Sequence, residues 1–150
     1  MQQSRPTNPV YTLHGVVIAT LLGSVAGAVA ILCLNYISFN RPKLARKTAI
    51  AGFIIFIILD VITATTTSSI TFGSAKWLTI YFAITLGQII LAYAIAKQLQ
   101  GQTIKYHLSN GGSQHTSFRA AGVGLITAFA LVFVSVFLSI IFGTVPNTPS

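Results

Sequence analysis

Asp60 is the single acidic residue of this chain, and it stands inside an apolar run spanning about residues 48–66. A carboxylate at the centre of a membrane helix costs about 3 kcal/mol on insertion scales, so it turns toward protein or water. There it can hold a proton or a cation. Gln88 falls near the middle of another apolar run, where an amide binds a neighbouring helix or a polar solute. His14 lies near the start of the first run, and a His–Asp pair would titrate near neutral pH. The structural alternative for Asp60 is an acid near a helix end, hydrogen-bonded to neighbours such as Thr63 or reaching the headgroups. Asp60, Gln88 and His14 form the candidate intramembrane polar site.

Other chemistries lack their residues. There is no carboxylate pair, nucleophile elbow, phosphate-cradling loop or HExxH helix, so no catalytic residue is assigned and an enzyme is not expected. A single acid leaves most hydrolytic and phosphotransfer mechanisms without a general base. His107 and His115 flank the turn-forming Asn110-Gly111-Gly112 and read as solvated loop residues; no metal or cofactor is expected. Cys33 has no second cysteine to pair with.

The elements that position these residues are apolar helices. Only 7% of the 150 residues are charged, against about a quarter in soluble domains, so most of the chain avoids water. Four runs, at about 13–34, 48–66, 77–96 and 120–143, approach the length needed to cross a ~30 Å hydrocarbon core. They predict an all-α, integral membrane four-helix bundle forming one domain over residues 1–150. The basic residues set its direction. Arg41, Lys43, Arg46, Lys47, Lys97, Lys105 and Arg119 fall in or beside the first and third connections, and only Arg5 and Lys76 fall on the other side. The positive-inside rule then places those connections in the cytoplasm and both termini outside. The same residues would touch anionic headgroups, which accounts for the net charge of +8 without nucleic acid. A cleaved signal peptide is disfavoured, because the basic cluster follows the first apolar run instead of preceding it.

The two halves read as tandem copies of one hairpin. Ala19, Leu22, Gly23, Ala28, Ala30 and Ile31 match Ala83, Leu86, Gly87, Ala92, Ala94 and Ile95 at one offset. Lys47, Ala49 and Gly52 match Arg119, Ala121 and Gly124 after a longer connection. Small residues let membrane helices approach closely. Ala19, Gly23, Ala26 and Ala30 form such a stripe on the first helix, with Gly87 and Gly124 as its counterparts on the third and fourth. The third connection is expected to be long, with residues 98–109 forming a short interfacial helix that Asn110-Gly111-Gly112 stops.

The run Leu22-Gly23-Ser24-Val25-Ala26-Gly27, then Asn35-Tyr36 and a basic loop, resembles the first hairpin of an uncharacterised family of small bacterial membrane proteins. Gly101-Gln102-Thr103-Ile104-Lys105-Tyr106-His107-Leu108-Ser109-Asn110-Gly111-Gly112, leading into Arg119 and residues 122–125, resembles its second hairpin. The resemblance implies a bacterial inner membrane. It carries no assigned activity and no functional residues to transfer.

Three functions compete on this reading. The first is a non-enzymatic scaffold or accessory component that works through helix packing, its basic loops and membrane lipids, as a homo-oligomer or with a membrane-protein partner. The second is a small oligomeric transporter or channel for protons or cations, with Asp60, Gln88 and His14 lining the path. The third is a membrane-permeabilising effector.

Overall fold

The computed structural model describes residues 8–67 and 70–141. They form four helices in the order α1 (Leu13–Ser38), α2 (Pro42–Thr67), α3 (Ala75–Ser109) and α4 (Ser117–Ile141). By length and composition α1, α3 and Ser117–Val134 of α4 are apolar enough to cross a membrane.

The helix ends follow from local sequence. Thr12 caps α1 by accepting from the Gly15 amide, and Ser74 caps α3 by accepting from the Trp77 amide. Two helices stop in the same way. At the end of α1, Asn40 takes φ 57°, its N–H donates to the Ile37 carbonyl, and the Arg41 N–H donates to the Tyr36 carbonyl. At the end of α3, Gly111 takes φ 77°, its N–H donates to Leu108, and the Gly112 N–H donates to His107. Each is a Schellman closure, with Asn or Gly in the left-handed position that other residues avoid. Pro42 then opens α2, where its missing N–H costs nothing.

α1 is not straight. Gly23 (φ −120°, ψ 17°) and Ser24 (φ 59°, ψ −165°) leave helical geometry, and the chain reverses there. The reversal brings the two ends of α1 together. Tyr11 donates its N–H to Asn35 Oδ1 at 2.7 Å, and Ser38 Oγ donates to the Pro9 carbonyl at 3.1 Å. Between those ends, a side chain at Gly27 would strike the Ala19 backbone, so the two arms lie against each other through small residues. The arms, residues 13–22 and 25–38, reach about 15 and 21 Å at 1.5 Å per residue. Neither matches a ~30 Å core. The expected first span at 13–34 is therefore a hairpin that enters and leaves at one end of the molecule.

That end also holds the α1–α2 and α3–α4 connections. Val10 donates its N–H to the Ser113 carbonyl and accepts from the His115 N–H, forming a short parallel bridge beside Gln114. Residues 8–12 thus sit next to the start of α4. Ile141, at the far end of that 25-residue helix, is about 36 Å away. The described ends of the chain, Asn8 and Ile141, lie at opposite ends of the molecule. Arg5 lies outside the described residues, as do positions 142 and 143 of the fourth expected span.

The hairpin is the hub. α1 packs on α2, α3 and α4, α2 approaches α3, and among the described residues no Cα of α4 comes within 8 Å of one in α2 or α3. The core forms around Val16, Ala19, Ala28, Ile31 and Leu32 of α1, against Ala92 and Ala96 of α3 and Ala120 of α4. Outward faces are apolar, with Phe53, Ile57 and Ile58 on α2 and Ile126, Phe129 and Phe133 on α4 all exposed. The halves of the chain differ in backbone: α1 doubles back at Gly23, whereas α3 runs unbroken for 35 residues through the aligned Gly87. Residues 98–109 continue α3 and form no separate interfacial helix, because no Gly-Gly or Pro interrupts the run before Asn110.

Candidate functional site

The tip of the α1 hairpin opens onto a cavity of about 380 Å³, with α2, α3 and α4 on its other walls. Gly23 sits there because its backbone meets that of α4: an added Cβ would lie 2.5 Å from the Gly124 carbonyl oxygen. Only a residue without a side chain permits that approach. Ser24 occupies a backbone region normally reserved for glycine, worth about 1–3 kcal/mol of strain. Its hydroxyl offsets part of this by accepting from the Val25 N–H at 2.6 Å and donating to Gln88 Oε1 at 3.2 Å. The hairpin is thereby pinned to the middle of α3.

Asp60 and Gln88 both line this cavity, with Thr20, Thr63, Tyr81 and Thr85. Among the described residues, no lysine, arginine or histidine lines it. Asp60 is exposed on α2. The hydroxyls of Thr20 and Thr85 donate to the carbonyls four residues earlier in their own helices, Val16 at 2.7 Å and Tyr81 at 2.9 Å. The Tyr81 ring stacks on Trp77 with centroids 5.0 Å apart and planes 9° apart. The cavity thus joins one carboxylate, hydroxyl oxygens and an aromatic wall.

His14 does not join them. It is exposed in the first turn of α1, and the reversal at Gly23 leaves it at the end that holds the connections. The hairpin tip, where Asp60 borders the cavity, lies about 13 Å further along the helix axis. The expected His–Asp pairing rested on a straight first helix.

The small-residue stripe also divides. Ala19 and Gly23 face Gly124, whose own added Cβ would meet the Ala19 carbonyl at 2.9 Å. Ala26 and Ala30 fall on the second arm, beyond the reversal, and are half-buried. Gly87 packs on nothing: an added Cβ there meets no atom within 4 Å. The basic residues cluster at the end with the connections. Arg41 precedes α2, Lys43, Arg46 and Lys47 lie in its first turns, Lys97 and Lys105 are on α3, and Arg119 is on α4.

A second polar cluster, absent from the sequence reading, closes that end. Asn35 is fully buried; its Nδ2 donates to the Tyr11 carbonyl at 2.9 Å and to Gln100 Oε1 at 3.0 Å. Gln100, 1% exposed, donates Nε2 to the Leu32 carbonyl at 2.9 Å. Its signal in the sequence was two lone amides flanking apolar runs. His107 is buried in α3 with its ring edge-on to Phe39, and is not a solvated loop residue; its Nε2 has no hydrogen-bond partner among the described residues. His115 lies against the Tyr11 ring at 4.3 Å, with Nδ1 3.3 Å from Arg119 Nη1. Burial, and then the Arg119 charge, push its pKa below the ordinary 6.5.

Compared with known proteins, the chain matches no family model, no curated protein and no solved structure.

Proposed function

We propose that the chain is a non-enzymatic integral membrane protein that passes a small cation through the cavity at the α1 tip. In this arrangement α2, α3 and α4 cross the bilayer, and α1 enters and leaves from the basic end. The positive-inside rule puts that end in the cytoplasm, in a bacterial inner membrane on the family resemblance. The observation that carries the proposal is the coincidence of a broken helix, a largely apolar cavity with a few polar groups, and the one acid of the chain. Non-helical backbone at membrane depth is tolerated where it lines a cavity, and discontinuous helices supply substrate sites in transporters. Apolar outward faces on α2 and α4 support insertion.

Flux in proteoliposomes tests it, with wild type compared to Asp60→Asn. Cation uptake that the variant loses while keeping its helicity supports the pathway. Uptake that is broad and insensitive to Asp60→Asn would instead mark a permeabilising effector. A scaffold or accessory role is the second reading, favoured by the gap between α4 and both α2 and α3, which leaves room for a partner helix or a second copy. It predicts no flux and an intramembrane crosslink from α4 to a partner or to itself.

A further inference from the structure

Resting on that transport reading, we propose that the tip cavity takes a hydrophobic organic ammonium ion in preference to a bare metal cation or an anion. Charge sets the first choice. Among the described residues, Asp60 is on the wall and no basic side chain is. The carboxyl end of the first arm and the amino end of the second meet at the tip, so their opposite dipoles offset one another and the carboxylate decides the sign.

Hydrogen positions sharpen it. A hydroxyl has one proton to give. Thr85 gives its proton to its own helix and Ser24 gives its proton to Gln88, so these two oxygens have only lone pairs left for an occupant, while Thr20 is fully buried. Gln88 Nε2 and the Tyr81 hydroxyl can still donate, but the Asp60 carboxylate beside them repels an anion. A cation, or an N–H of an ammonium, finds partners.

Size and wall chemistry separate the two kinds of cation. At about 380 Å³ the cavity far exceeds the room one water or bare ion needs, about 15 Å³ on the same measure. A bare metal ion needs a tight shell of oxygens, six to eight within about 2.3–2.6 Å for calcium, whereas these oxygens come from three helices around an open space. The rest of the wall is apolar, including Phe56, Leu59, Ile84 and Leu131. Tyr81, stacked on Trp77, is also on the wall, and an aromatic ring of this kind attracts an organic cation. Since among the described residues the Cα atoms of α4 stay more than 8 Å from those of α2 and α3, an amphipathic ion also has a lateral route to the acid.

The test is binding of benzyltrimethylammonium to the purified full chain in detergent, beside benzenesulfonate and sodium ion. Saturable binding of the ammonium is expected, with none of the sulfonate and no displacement by sodium chloride. Asp60→Asn should weaken it about tenfold or more, Asp60→Glu should restore it, and Tyr81→Leu should weaken it several-fold. Circular dichroism and gel filtration establish that each variant is folded. Ammonium binding unchanged in Asp60→Asn, or equal binding of the sulfonate, overturns the proposal. Sodium binding that depends on Asp60, without ammonium binding, overturns the ligand class but leaves the cation pathway standing. Absence of both, together with absent flux, removes the pathway as well.

Discussion

The side-chain amide of Asn35 satisfies both backbone groups of Tyr11, accepting its N–H at 2.7 Å and donating to its carbonyl at 2.9 Å. Both main-chain groups of Tyr11 are thus held by a side chain 24 positions away. The contact fixes the open end of the α1 hairpin, as Gly23 fixes its tip. Replacing Asn35 with Leu strands the Tyr11 groups and Gln100 in a buried setting, which should cost about 1–3 kcal/mol in detergent unfolding. Gln100→Leu should cost a similar amount. The double variant should cost less than the two added together, because the partners are removed as a pair.

Close backbone approach makes a second prediction. Gly23→Val should destabilise by about 1–3 kcal/mol, since its Cβ collides with the α4 backbone. Gly87→Ala, with open space around it, should be neutral or stabilise by up to about 1 kcal/mol. Equal losses at the two sites would mean that α1 is straight and packs like α3.

Topology can be read by labelling. In a Cys33→Ala background, Asn8→Cys and Gln114→Cys should react with an impermeant maleimide from the same face of sealed vesicles. Phe72→Cys should react from the other. An Asn8→Cys label that tracks Phe72→Cys would rule out the hairpin.

Acid should loosen the clasp of residues 10–11 on 113–115. The groups facing His115 are the Tyr11 ring and Arg119, and its own N–H holds the Val10 carbonyl. Its pKa is lowered in the folded state, so the released segment binds more protons at pH values just below 6.5. Docking is therefore at full strength above 6.5 and weakens as the pH falls through the lowered value. Amide exchange at residues 10–11, corrected for intrinsic rate, should accelerate over that window in wild type and stay flat in His115→Gln.

Helix content, and the stop at the end of α3, were legible from local rules. Asn110-Gly111-Gly112 stops α3 as turn chemistry requires, and apolar runs of near-spanning length became helices. The Ala19, Gly23, Ala26 and Ala30 stripe was legible as close packing, but its partner was not. Helical spacing puts those four residues on one face only if the helix continues past Gly23, and a Gly-Ser step in an apolar run fits a kink or a full reversal equally well. His14 was misplaced for the same reason.

The sequence by itself determined that the chain is helical, poor in charge, basic at its connections, and furnished with one acid amid apolar residues. These are properties of composition and short-range order. Tertiary structure decided that α1 doubles back, that residues 8–12 sit beside the α3–α4 connection, and that Asp60, Gln88 and Ser24 border one cavity. The direction of a broken helix depends on contacts between residues far apart in the chain. Asn35 against Tyr11 and Gly23 against Gly124 settle it here, and no local pattern encodes those pairings.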